Sequence, residues 1–287
     1  MAQALASQGH KGSQTPGAQL FAALDYRLPG PRQTFAGAAP PDRDAQCRSI
    51  NRCVKVFQRA GPPVLAVEAT KKALVGQLAH RGRDSQPQGQ PEPVQTHDCP
   101  DTGLGKIGPY GVDDPTHKHG WGSVGMDHDT APCAVAAIRR WWWQMGKVAS
   151  PHARALLLTA DGGGSKARRQ RLWKVDLQKL ADEMGVAISV RHFPPGTRKW
   201  KTIEHRMFSH IPEHWRGRPL ISHEVVVNFI GHTTTKTGLT MQAALEKHSS
   251  PVGIKVSKEE MKRLHLSPAK CHGKDWHYAI KPRQQEP

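Results

Sequence analysis

The order of sequence patterns predicts an α/β fold, a mixed sheet flanked by helices. Two observations carry that expectation. Between about residues 62 and 215, compact apolar runs alternate with segments of helical periodicity in the order β–β–β–α–β–α–β–α. The chain of 287 residues is also long enough for one sizeable core or two modest ones. Its apolar fraction is only 37%, and its 23 prolines and 27 glycines imply long connections around a smaller core.

Residues 1 to about 16 are small and polar and are expected to be disordered. "AQLFAALDYRL" (18–28) reads as a short amphipathic helix, followed by a Pro/Gly linker. "DAQCRSINRCVKVFQRAG" places Ile50, Val54 and Phe57 at helical spacing and closes at Gly61. "PPVLAVEA" is a proline-bounded buried strand. From Gly76 to Gly108 no apolar period survives, which predicts an extended, partly ordered insertion between the first two strands. "GPYGVDD" and "GWGSVGMDHD" are short strands around a His/Lys turn. "TAPCAVAAIRRWWWQMG" is a helix with Val135, Ile138, Trp142 and Met145 inside, and Asp129 or Thr130 as its N-cap. The run Trp141 to Trp143 spans three helix sides, so at most two of its indoles are core. "ARALLLTAD" is a strand, and "LWKVDLQKLADEMG" is a helix with Trp173, Leu177, Leu180 and Met184 on one face. "VAISVRHF" is another buried strand, and it leads into "FPPGTRKWKTIEHRMF" and a further helix. Near the end Ser257 and Glu260 form a capping box for a short helix.

Charge narrows the partner. Lys and Arg number 41 against 24 Asp and Glu, a net charge of +17. That balance points to a polyanion, because each phosphate neutralised releases counterions. The N-terminus lacks the apolar core of a secretory signal, and no run reaches membrane-spanning length. No membrane partner is therefore expected. The five cysteines (Cys47, Cys53, Cys99, Cys133 and Cys271) form no CxxC pair, which suits a reducing cytoplasm rather than a disulfide framework. The 17 histidines show no paired zinc-ligand spacing in "HDC" or "CHGKDWH". "DGGGSK" has the wrong residue order for a P-loop and reads as a flexible loop.

In such a sheet, functional groups gather where strands end. Glu68 ends the first strand, Asp161 ends "LLLTAD", and Glu204 opens the helix after "FPPGTRKWKTI". Three carboxylates converging on one sheet edge would cradle hard divalent cations, which take oxygen ligands and keep several waters. Each acid also has a plainer use: Glu204 as a helix-dipole partner, Asp161 as a turn former or N-cap. Asp127 in "MDHDT" is a candidate accessory residue. Spacing alone leaves these alternatives open.

The stretches "VLAVEATKKALVG", "HDCPDTGLGKIGPYGV", "GSVGMDHDTAPCAVAAIRRWW", "LLLTADGGGSKARRQRLWKVDLQKLADEMG", "FPPGTRKWKTIEHRMFS" and "WRGRPLISHEVVVNFI" together resemble the DDE transposases of bacterial insertion sequences. More narrowly they are similar to the Rhodopirellula-type transposase DDE domain family, distant kin of the mariner group. The resemblance runs from about Leu20 to Tyr278. It implies an RNase H-like fold and DNA cleavage with strand transfer assisted by two metal ions, Mg²⁺ or Mn²⁺. It also implies insertion-sequence ends and target DNA as partners, a homodimer on DNA, and a bacterial cytoplasmic location with nucleoid association when on DNA. Glu68, Asp161 and Glu204 match the three catalytic and metal-binding acids.

Three departures accompany the match. Glu68 stands where the family pattern has Asp, and Lys166 and Lys201 each stand where it has Asn. The family's longer N-terminal helix-turn-helix region is represented only by "LFAALDYRL". A truncated copy of impaired activity is the expectation, since Glu68 carries its carboxylate about 1 Å too far and the lysines oppose a metal. The expected divisions are 1–61, a disordered start with remnant helices; 62–215, the RNase H-like catalytic domain; and 216–287, a helical or irregular extension. The competing readings are a non-catalytic DNA-binding remnant and an RNase H-like nuclease without strand transfer.

Overall fold

Apolar runs and helical stripes assemble around one twisted sheet in the computed structural model. It describes residues 23, 42–70, 72–78, 80, 82–95, 105–125, 130–162, 170–194, 197, 200–246, 253–269 and 277–283. Backbone contacts divide the chain into Met1–Ala39 and Pro40–Pro287, and every described residue but Ala23 belongs to the second unit. The helix expected at 18–28 therefore lies outside the described residues, Ala23 excepted.

The strands are β1 (Val64–Ala69), β2 (Ala73–Leu74), β3 (Lys106–Asp114), β4 (His119–Gly125), β5 (Ala155–Asp161), β6 (Ala187–Phe193), β7 (Thr240–Glu246), β8 (Leu266–Pro268) and β9 (His277–Ile280). Their order is β7-β4-β3-β1-β5-β6-β9-β8, with β2 pairing β3 beside this path. β1, β5 and β6 run parallel to one another, while β3 is antiparallel to both β1 and β4. The central order β4-β3-β1-β5-β6, with β3 alone reversed, is the mixed RNase H-like sheet that the resemblance implied.

Alternation within each strand divides the core. Leu65, Val67, Leu156, Leu158, Ile188 and Val190 face helices α2 (Ala131–Trp141) and α3 (Arg171–Met184), which contribute Val135, Ile138, Trp141, Trp173, Leu177 and Leu180. The opposite face presents Ala66, Ile107 and Val124 to Met207, Phe208, Val226 and Ile230. There α1 (Arg43–Ala60) adds a small third cluster, Cys47 and Ile50 against Phe193. Gly61 closes α1 in the left-handed region, at φ 97°, and its N–H donates to the Phe57 carbonyl.

Thr130 caps α2, accepting from the Cys133 N–H with Pro132 in the first turn. Asp127 and Asp129 lie outside the described residues. The expected single helix then widens into a π-helical turn, Trp142–Gly146. The extra residue in that turn lets consecutive indoles, Trp141 and Trp142, both enter the core. Trp143 stays 42% exposed, donates its indole N–H to Glu183, and lies under the Lys147 ammonium. Gly146 makes the turn possible, because a Cβ there would sit 2.6 Å from the Trp141 ring.

Two expectations change. The insertion expected from Gly76 to Gly108 gives way to β3 already at Lys106; its described residues up to 95 contain no helix, as expected, but they are anchored rather than loose. Gly76 bridges to Leu220, Gln95 N–H donates to the Gln77 carbonyl, and Asp84 pairs with Arg218 at 2.6 Å. The stretch 216–287, expected to be helical or irregular, follows α4 (Ile211–His214), holds α5 (His223–Gly231) and α6 (Lys258–Lys262), and also supplies three strands to the sheet. β7 lies parallel to β4, and β9 pairs antiparallel with β6. These strands cover what would otherwise be open edges of β4 and β6. The capping box of Ser257 and Glu260 is present at the start of α6.

Gly146→Ala tests the π-helical turn. Helix propensity alone would favour Ala by about 1 kcal/mol, while overpacking against Trp141 costs about 1–3 kcal/mol. The expected outcome is a lower urea midpoint for the variant, and a raised midpoint would contradict this packing.

Candidate active site

The parallel register of β1 and β5 creates the site. Val67 pairs with Ala160, so the next residues along, Glu68 one short of the end of β1 and Asp161 the last of β5, lie side by side. Both side chains project from the same face as Ala66 and Thr159, which are register partners. Two carboxylates so placed repel each other unless a cation lies between them.

Lys201 supplies it. Its ammonium Nζ lies 3.1 Å from Glu68 Oε2 and 2.9 Å from Asp161 Oδ2. The lysine side chain is only 13% exposed, against 14% for Glu68 and 29% for Asp161. Burial alone would lower its pKa, but the hydrogen bond it donates to Asp161 and the charges of both carboxylates outweigh that and hold it above the ordinary lysine value. The ammonium therefore stays charged at neutral pH. Behind it, the His192 imidazole lies 3.2 Å from the Asp161 main-chain carbonyl, so Nδ1 is the donor. Burial drives the His192 pKa down to about 4, the carbonyl contact opposing and the nearby His277 and Lys174 assisting. A neutral ring thus props the backbone that carries Asp161.

Glu204 opens the π-helical turn Glu204–Phe208, three positions after Lys201. This turn seats on β3 because Gly111, the register partner of Glu68, has no side chain. A Cβ on Gly111 would collide with the rings and methyls of Phe208 and Met207. From the same turn the Arg206 guanidinium reaches Asp113 Oδ2 at 3.3 Å. Asp113 is fully buried, and its Oδ1 has no hydrogen-bond partner among the described residues. Burial raises its pKa to about 6; Arg206 opposes the rise and Asp114 adds to it.

Of the three expected acids, the structure joins Glu68 to Asp161 through Lys201. Among the described residues no group of three or more His, Cys, Asp or Glu side chains is arranged to hold a metal ion. With an ammonium seated between the first two carboxylates, the residues as placed do not fit a pair of divalent ions. Lys166 lies outside the described residues. Sequence reasoning put Lys201 near the site as a repulsive charge, whereas its ammonium is the bridge. Asp113, His192 and Arg206 were missed. The doubled acid of "GVDD" inside an apolar strand was a usable signal for Asp113; Arg206 had none.

Beside the acids runs a cleft of about 400 Å³, lined by Ala66 and Thr159 on the sheet, Asn51 and Lys55 on α1, and Thr202 and Arg206 ahead of α4. The outer side of α1 carries Arg48, Arg52, Lys55 and Arg59, all exposed. Their spacing of four, three and four residues sets them on one stripe. Gln46, Cys47 and Ile50 face inward from the same helix.

A family model described as Rhodopirellula transposase DDE domain matches residues 1–282. Comparison with curated proteins found no match. Among solved structures, the chain is similar to the Mos1 transposase paired-end complex with left transposon end, with TM-score 0.47, 11% identity, and coverage of 80% of this chain and 64% of that one. It is also similar to the Mos1 mariner paired end complex with Mn, with TM-score 0.49, 12% identity, and coverage of 79% and 64%. The chain thus spans less than two thirds of the length of these structures. No described helix is long and apolar enough to cross a membrane.

Asp113 and His192 titrate with opposite consequences. The Asp113 pKa rises from 3.8 to about 6 on folding, so the folded chain keeps a proton that the unfolded chain releases, and stability falls as pH rises through that window. The His192 pKa drops from 6.5 to about 4, so its contribution to stability rises with pH over nearly the same window. Each amounts to about 3 kcal/mol, and the two offset. Asp113→Asn removes one side of the balance. Relative to the parent, urea unfolding should show the variant gaining about 3 kcal/mol between pH 4 and pH 7; a constant difference across that range would contradict the assignment.

Proposed function

The chain belongs to the Rhodopirellula transposase DDE domain family, and on that premise we propose that it is the catalytic domain of an insertion-sequence transposase. Its substrates are the phosphodiesters of element ends and target DNA, and its reaction is cleavage followed by strand transfer. One observation carries this reading: Glu68 and Asp161, distant in sequence, meet at the ends of parallel strands beside a cleft bordered by the basic helix α1. The net charge of +17 supplies the attraction for a polyanion. The Arg48–Arg59 stripe holds phosphates, the cleft receives the strand, and neutral His192 fixes the main chain at Asp161.

Mg²⁺ or Mn²⁺, as two ions, is the cofactor that such chemistry takes, and Glu68, Asp161 and Glu204 are the acids for it. Lys201, whose ammonium bridges two of these acids, stands against that assignment in this chain. A second reading, a DNA-binding domain without cleavage, is favoured by the same ion pair. A homodimer on DNA in the bacterial cytoplasm accords with either reading.

DNA affinity should fall steeply with salt. Replacing Arg48, Arg52, Lys55 and Arg59 by Ala should flatten the plot of log affinity against log salt by about 3–4 units, roughly 0.9 for each phosphate no longer neutralised. An affinity unmoved by salt would overturn the DNA reading.

Cleavage separates the two readings. Nicking of an element end in Mg²⁺ is expected to be weak for the natural chain. In Glu68→Asp combined with Lys201→Asn it should rise by about a hundredfold, because the carboxylate withdraws by about 1 Å and the ammonium is gone. Absence of nicking in both proteins, with DNA binding intact, would favour the non-cleaving domain.

A further inference from the structure

We propose that Lys201 is a built-in counter-cation for Glu68 and Asp161, occupying the place of a divalent ion, so that metal enters only by displacing it. The inference rests on the reading of these two residues as the acidic pair of the site. Several observations meet at this ammonium. It lies within hydrogen-bond distance of one oxygen from each carboxylate, 3.1 and 2.9 Å away. An ammonium has three donors, and two are spent on different acids. All three side chains are mostly buried, so solvent screens the attraction only partly.

The competition with metal follows from charge and tethering. Two carboxylates and one ammonium leave the cluster a single negative charge, against two if the lysine is neutralised. A divalent ion entering beside the ammonium would be repelled by it; a divalent ion replacing it would leave a buried ammonium without these two carboxylates. The lysine is fixed to the chain and so competes at a high effective concentration, whereas a free ion must come from solution. Mg²⁺ adds a further obstacle, since it sheds water reluctantly and demands near-octahedral oxygen geometry. The turn carrying Lys201 is itself held in place: Ile203 and Met207 are buried on the sheet, and Arg206 is anchored on Asp113.

Mn²⁺ binding to DNA-free protein, followed by electron paramagnetic resonance of the unbound ion, tests the proposal. Lys201→Met keeps all but the last atom of the side chain's length and removes its charge, and it should bind Mn²⁺ at least about tenfold more tightly than the natural chain. Lys201→Arg keeps a cation and should bind as weakly as the natural chain. Adding Asp161→Asn to Lys201→Met should abolish the gain. Thermal unfolding gives a second readout: added Mn²⁺ should raise the Tm of Lys201→Met and leave that of the natural chain unchanged. Should the Met variant fail to fold without metal, Lys201→Gln carries the same comparison. Equal Mn²⁺ affinity in the natural and charge-neutral chains overturns the proposal, as does a gain that survives Asp161→Asn. Salt-dependent DNA binding is read separately and without metal, so failure here leaves the DNA reading to stand or fall on its own test.

Discussion

Two carboxylates held side by side at the ends of parallel strands impose an electrostatic demand that the surrounding structure has to meet. The pairing of β1 with β5 fixes the separation of Glu68 and Asp161, and neither strand can shift without moving a buried apolar row out of the core. Relief has to come from a cation, and the return of the chain after β6 places Lys201 over the pair. The π-helical turn that follows, its seat on Gly111 and the burial of Met207 and Phe208 all serve to hold that approach.

A second layer of buried polar groups supports the first. Asp113 lies on the same sheet face as Glu68 and ties Arg206 to β3, at the cost of a desolvated carboxyl whose other oxygen has no partner among the described residues. His192, buried and neutral, meets the main chain of Asp161 from β6. One group favours the proton on folding and the other rejects it, so the region holds two opposing titrations on strands of one sheet. Buried groups of this kind are costly to stability and are common near functional sites.

Helix α1 joins the core to the outer surface. Its inward residues close on Phe193, while Asn51 and Lys55 border the cleft and the four cations line the exposed side. A helix with one face packed beside an acidic centre and the other facing solvent with positive charge is suited to guiding a polyanion along the entrance. The acids themselves would repel phosphate, and the positive charges of the stripe and of Lys201 offset that repulsion.

Local patterns determined much of this architecture. Apolar runs marked β1, β5 and β6, helical stripes marked α1, α2 and α3, and the side chains of Thr130 and Ser257 marked helix starts, because each depends on neighbours within a few residues. The positions of Glu68, Asp161 and Glu204 at element ends were legible for the same reason. Tertiary structure decided what those residues touch. Lys201 and Asp161 are 40 positions apart, and only the register of β5 and the return over the sheet bring the ammonium onto the carboxylate. The addition of β7 to β4, of β9 to β6, and the burial of Asp113 under Arg206 likewise join segments far apart in the chain. Secondary structure follows from short-range sterics and periodicity, whereas an ion pair at a strand end depends on the packing of the whole sheet.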